Sequence, residues 1–376
     1  MRTASFRPRL ETMDPRIVPA VLFVDDDRHQ RRNAQFTTIQ AAVDFASPGD
    51  DIRVYAGTYR EQVRVTKSNL TLEAVNGSGD RDDRGVGGAA VITPPSGGLP
   101  ATGNGILVTV TGGARDVVID GFTVRGPGVP AGSLYAGIGV GGGASALIRD
   151  NRVLDIRDPL DKTGQLSGLQ SGLGILVQGA DAVLVGNTVR GYQKAGIVAF
   201  GPGNVSIHDN DVTGFGPSTT IAQNGIQVSD GINAVVSDNH VSDNVYTPAG
   251  TEAAGIVVFA AGQVAVVGNK LDRNELGIAV VSQTAAPVLV ARNEVERSSL
   301  DGISVQDSRN VEVRDNEVER SARWGIAVTG SSSNVLVHGN EVERSGMFDL
   351  YDDTAPVSNV VFVGNVFHTR NRPTLH

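Results

Sequence analysis

One stretch of the 376-residue chain gathers side chains able to work on a sugar ring. Between Leu154 and Leu173 lie Asp155, Arg157, Asp158, Asp161 and Lys162. A carboxylate beside a guanidinium or ammonium group can move a proton while the cation neutralises charge, the pairing that general acid–base cleavage of a glycan needs. Asp155, Arg157, Asp158 and Lys162 are therefore the candidate catalytic groups. Tyr135, Tyr192 and Tyr246 offer rings that stack on sugars, and Asp161, Lys194 and Glu252 offer polar contacts, so these six are the candidate binding residues. The competing reading of the charged stretch is solvated decoration of a loop. The two part on whether Asp155, Arg157, Asp158, Lys162 and Lys194 converge.

Metal chemistry has less to stand on. There is no cysteine, which removes thiolate sites and disulfides. His208 and His338 each stand two residues before an Asn, but many residues apart, and so share no ion. Asp25, Asp26 and Asp27 read as a solvated turn. Gly77 to Gly88, GSGDRDDRGVGG, has the composition of a calcium loop without its nonapeptide period. No cofactor is implied, and calcium is the one ion for which carboxylates are plentiful. A net charge of −9 without a basic stripe argues against a nucleic-acid partner. No apolar run is long enough to span a bilayer as a helix.

The elements that must position these residues follow from a repeat. A Gly-Ile pair begins at Gly105, Gly137, Gly174, Gly196, Gly225, Gly255, Gly277, Gly302 and Gly325. An Asn trails each pair, at Asn151, Asn187, Asn210, Asn239, Asn269, Asn293, Asn316, Asn340 and Asn365. Late in the chain the period tightens to roughly 23 to 25 residues, and NEVERS occurs at Asn293, Asn316 and Asn340. Each unit holds two or three short strands of period two and has no room for a crossover helix. Stacking like strands in parallel buries the Ile and Val columns, which predicts an all-β, single-stranded parallel β-helix of about 11–12 coils. At roughly 4.8 Å per coil the rod is some 50 to 60 Å long.

Three further expectations come from this geometry. The Asn column marks a corner where the chain turns through a left-handed conformation, with the amides laddered along the rod and Gly121 filling the same slot one coil earlier. The NEVERS glutamates stack, Glu294 with Glu317 and Glu341, and Glu296 with Glu319 and Glu343. Arg297, Arg320 and Arg344 neutralise them without calcium. Long insertions at Arg125 to Ala136, Leu154 to Leu173, Thr213 to Asn224 and Ser242 to Ala254 wall a groove over the outer face of the Gly-Ile strands. That face reads as bland: Leu107, Gly139, Leu176, Val198, Gln227, Val257, Ala279, Ser304 and Ala327.

Residues 36 to 67 read as helix, turn, strand, strand. Thr37 or Thr38 caps the helix, Ile39, Ala42 and Val43 form its apolar face, and Pro48-Gly49 ends it. The runs TIQAAVD, Thr38 to Asp44, and GTYREQV, Gly57 to Val63, resemble the opening of the pectin lyase-like superfamily, especially pectin methylesterases and NosD-like carbohydrate-binding β-helices. The resemblance implies a right-handed coil and a short N-terminal capping helix. It does not bring an activity with it: the QDT, DFIFG and LGRPW blocks of the methylesterases and the DPHD of alginate epimerases are absent. Only Asp301-Gly302 and Gln306-Asp307 resemble polygalacturonase motifs. Upstream, Arg7 to Ala20, RPRLETMDPRIVPA, resembles the LExLExRxxPA element of bacterial surface proteins, which implies an extracellular or envelope location.

The chain thus divides into an export-type segment at 1–20, a cap with the first coils at 21–70, and the β-helix at 71–370. The expected function is binding of extracellular or envelope polysaccharide without catalysis. The alternative is a polysaccharide lyase, glycoside hydrolase or uronate epimerase with its site among the long loops.

Overall fold

The computed structural model describes residues 19–75, 89–99, 105–126, 130, 132–247, 252–355 and 358–367. Most of the export-type segment, the Gly77 to Gly88 stretch and residues 368–370 of the expected final coil lie outside them. The described strands form three sheets of 13, 11 and 12 strands in which every named pair is parallel. One coil runs through Ala136–Gly141, Ser145–Arg149 and Arg152–Leu154, one strand per sheet, before Leu173–Gln178 reopens the cycle. The Gly-Ile strands make the 11-stranded sheet.

Like residues stack on like. Ile138 pairs in register with Ile175, and that column continues through Ile197, Ile226, Ile256, Ile278, Ile303 and Ile326 to Leu350, all buried. The glycine before each isoleucine also faces inward. A Cβ on Gly137 would stand 2.8 Å from the Gly174 carbonyl oxygen and 2.8 Å from Val153 Cγ1, and on Gly255 2.8 Å from both Gly277 O and Leu271 Cδ2. Steric exclusion, and not a left-handed backbone, therefore fixes this glycine. Two consecutive inward residues break the period of two, so the residue before the glycine points outward, as does the one after the isoleucine.

That break corrects two expectations. Ile106 pairs with Ala136, and Thr109 with Gly139. Gly105-Ile106 is therefore out of step with the later pairs, Leu107 sits in the glycine slot fully buried in the core, and Thr109 takes its expected outward place. The Asn column is also refined. The left-handed residue is the one before each Asn: Asp150 (φ 56), Gly186 (φ 66), Asp209 (φ 56) and Asp238 (φ 56). Gly121 (φ 79) aligns with Asp150, so Phe122 holds the Asn slot in its coil. The asparagines turn inward and form an unbroken amide ladder. Each Nδ2 donates to the next Oδ1 from Asn151 to Asn365 at 2.9 to 3.1 Å.

The helix Ile39–Phe45 packs Ile39, Ala42 and Val43 on the first coil. Thr38 is its N-cap by position but makes no side-chain cap bond. Glu61, from the coil below, accepts from Ile39 N at 2.8 Å and Gln40 N at 2.9 Å, and Lys67 Nζ donates to the carbonyls of Val43, Asp44 and Ala46 at 3.0, 2.7 and 2.7 Å. Negative charge at the start of a helix and positive charge at its end is the favourable polarity.

Candidate functional site

The candidate residues of the long loops do not form one cluster. Asp155 occupies a left-handed corner (φ 55) and pairs with Arg125 at 3.2 Å and Arg157 at 3.5 Å. Asp158 is 1% exposed and accepts from Gly132 N at 2.7 Å and from the Ser167 hydroxyl, which makes it a brace of its own loop. Asp161 is exposed and accepts from Thr163 Oγ1 at 2.7 Å, Thr163 N at 2.8 Å and Gln165 N at 2.9 Å. The Thr163 hydroxyl first, and then the backbone bonds, hold its carboxyl below the usual range. Lys162 is exposed beside it. Lys194 donates to Ala222 O at 2.8 Å, and burial lowers its pKa.

The aromatic candidates separate in the same way. Tyr135 is 38% exposed, but Tyr192 is fully buried in the core with its hydroxyl donating to Asn244 Oδ1, so it has no face to offer a sugar. Burial, the largest cause, raises its pKa. The outer face of the Gly-Ile sheet in this half is itself closed. Ile106, Ala136, Leu173, Leu176, Ala195 and Val198 form an apolar cluster outside the coil, none more than 7% exposed. The open groove expected there is filled.

The remaining two candidates lead elsewhere. Tyr246 N donates to Glu275 Oε2 at 3.0 Å, and Glu252 lies 4.0 Å from Arg323. Arg323 is the centre of a group toward the C-terminal end of the same sheet. Asp301, fully buried, takes both arms of its guanidinium, Nε at 2.7 Å and Nη2 at 2.6 Å. That bidentate bond, ahead of the nearby Glu252 and Glu275 charges, raises the Arg323 pKa. Glu275 is 6% exposed and also accepts from Ala253 N at 2.9 Å. Burial, the largest cause, raises its pKa against the lowering effect of these backbone bonds.

An aromatic ledge adjoins the charges. The Arg323 guanidinium lies 4.0 Å over the Trp324 ring, and Trp324 stacks on Tyr351 with centroids 4.0 Å apart and planes within 5°. Phe348 flanks Tyr351 at 6.1 Å. All three rings are partly exposed. The indole Nε1 is shielded from solvent and has no acceptor among the described residues. Asp301 and Trp324 fall immediately before Gly302 and Gly325, in the outward column that the inward glycines create.

Among the described residues one carboxylate group has a spacing that suits a metal: Asp25, Asp26 and Asp27 bring ligand atoms within 4.8 Å of one another. Asp25 is fully buried, unlike the solvated turn expected there, and accepts from Arg28 N at 3.1 Å and Arg31 N at 2.5 Å. Asp26 accepts from Thr58 N and Asp27 from His29 N. The NEVERS glutamates stack as expected, and Arg320 lies 3.1 Å from Glu319 and 3.8 Å from Glu296.

Residues 104–289 match the family described as "Right handed beta helix region", and residues 219–373 match "Periplasmic copper-binding protein (NosD)". No curated protein matches the sequence. Solved structures share the fold. The GH136 lacto-N-biosidase from Eubacterium ramulus superposes with a TM-score of 0.62 at 13% identity, over 93% of this chain and 68% of that one. DFA-IIIase from Arthrobacter chlorophenolicus A6, without its lid, gives 0.59 at 15% over 87% and 90%. The periplasmic alginate epimerase AlgG gives 0.52 at 16% over 85% and 73%. The chain has the right-handed parallel β-helix fold that these structures share.

Among the described residues of the NosD-matched region the histidines do not come together as a copper site. Copper favours imidazole, thiolate and thioether ligands, and there His240 lies in one sheet 3.9 Å from Asp211 while His338 lies in another, 3.0 Å from Glu312.

Proposed function

We propose that this is an exported β-helix that binds polysaccharide, without cleaving it, on the outer face of the Gly-Ile sheet where Arg323, Trp324 and Tyr351 meet. The observation that carries this reading is the stacked, partly exposed ring pair beside a bidentate Arg–Asp bond. Arg323 covers one face of Trp324 and Tyr351 the other, so the face left for the C–H groups of a sugar is that of Tyr351, backed by the indole and with fixed polar groups at the rim. The indole donor has no acceptor, and leaving it so costs about 1–3 kcal/mol. The lacto-N-biosidase and alginate epimerase that share the fold are named for action on carbohydrates. The described residues hold no helix long and apolar enough to cross a membrane. With the Arg7 to Ala20 element and the periplasmic AlgG, this supports an envelope or extracellular location.

The engagement of the carboxylates supports binding without cleavage. Both Asp301 oxygens serve Arg323, and Glu275 Oε2 accepts two backbone N–H groups. One observation favours a glycoside hydrolase instead: Glu275, whose pKa burial raises, lies within the influence of Glu252 and Arg323.

Affinity electrophoresis over a panel of polysaccharides, with reducing ends assayed in parallel, separates these. Retardation that falls at least about tenfold in Trp324→Ala, with no product, is expected. Circular dichroism confirms that the variant is folded. Product that disappears in Glu275→Gln establishes the hydrolase, and retardation unaffected by Trp324→Ala sinks the site.

A further inference from the structure

The charge around the ring ledge selects among glycans, an inference that rests on the binding reading above. Glu252, Glu275 and Asp301 surround a single guanidinium, that of Arg323. Asp301 holds both arms of that guanidinium, so it is not free to grip a second carboxylate. Lys194, on the same sheet edge toward the N-terminus, is spent on the Ala222 carbonyl. A uronate carboxylate entering this site would meet excess negative charge, the arrangement by which interfaces reject like-charged partners. An ammonium group would meet the opposite. Glu252 is exposed, 4.0 Å from an arginine already neutralised by Asp301, and the face of Tyr351 turned away from Trp324 adds a surface that attracts cations.

We propose that the site prefers glycans bearing free amino groups, such as glucosamine chains, over their acetylated counterparts, and rejects polyuronates. Burial raises the Glu275 pKa, and Glu252 stands exposed at the rim.

The test is calorimetry of the full chain with three hexamers: β-1,4-glucosamine, β-1,4-N-acetylglucosamine and galacturonate. The expected order is amine, then acetylated, then uronate, with each step about tenfold or more at low salt, and the first step shrinking as salt rises. Glu252→Gln narrows the gap between the first two several-fold. Trp324→Ala weakens whichever hexamers bind, which assigns them to this site. Any other order, with binding still dependent on Trp324, overturns the charge selection and leaves glycan binding standing. If no hexamer binds, or binding ignores Trp324, both readings fall.

Discussion

At the scale of single residues the glycine of each Gly-Ile pair is the most constrained position. A Cβ on Gly255 would meet a backbone carbonyl, Leu271 and the Asn274 amide, all within 2.9 Å, and a backbone oxygen in a stacked coil has nowhere to move. Gly255→Ala is expected to lose about 1–3 kcal/mol in urea unfolding, whereas Gly97→Ala, where a Cβ meets nothing within 4 Å, stays near wild type. Equal stability for the two would remove the steric account. This glycine also explains why the site was hard to read. The repeat itself was legible, but alternation counted from isoleucine assigns the residue before glycine to the inside. Alternation therefore hides the outward column holding Asp301 and Trp324, although a Trp and an Asp where most other coils carry Ala or Leu are a visible signal. Tyr192 shows the converse. An aromatic at a corner between strands reads as exposed, and nothing local reveals that Asn244, two coils away, takes its hydroxyl.

At the scale of elements the cap depends on side chains from outside itself. The helix Ile39–Phe45 has seven residues, too few to persist alone. Its first N–H groups are met by Glu61 and its last carbonyls by Lys67. Glu61→Ala is expected to cost about 1–2 kcal/mol and to raise hydrogen exchange in residues 39 to 46, while Thr38→Ala, which removes no cap bond, leaves both unchanged. The reverse result would return the cap to Thr38. The helix and its apolar face were legible from spacing alone. Glu61 was not, because it lies 22 residues beyond Ile39 and reaches it only once the strand after the first corner has folded back.

At the scale of the whole molecule, successive coils are tied by three sheets and by the buried amide ladder. Removing one rung strands two donors of its neighbour. Asn269 gives both its backbone N–H, at 3.0 Å, and its Nδ2, at 2.9 Å, to Asn293 Oδ1. Asn293→Ala is expected to lower stability by about 3 kcal/mol or more. It should also broaden the urea transition, because a stacked array unfolds through its weakest interface. An unchanged midpoint would show that the ladder carries little energy. The coil, its period and its parallel register could be read from the sequence, since each is a short-range pattern repeated many times. The proposed ligand face could not, because it is assembled from Glu252, Glu275, Asp301 and Arg323, each from a different turn of the chain.

The ladder also has a direction. Every amide gives one hydrogen to the amide of the turn that follows it, from Asn151 toward Asn365, and the other to a backbone carbonyl of the turn before. A turn emerging during synthesis therefore waits for its successor before its own amide is at rest, and completion travels from the amino end to the carboxyl end. Cutting the rod after any rung frees the same single amide, so shortening it by one turn or by five incurs the same end penalty.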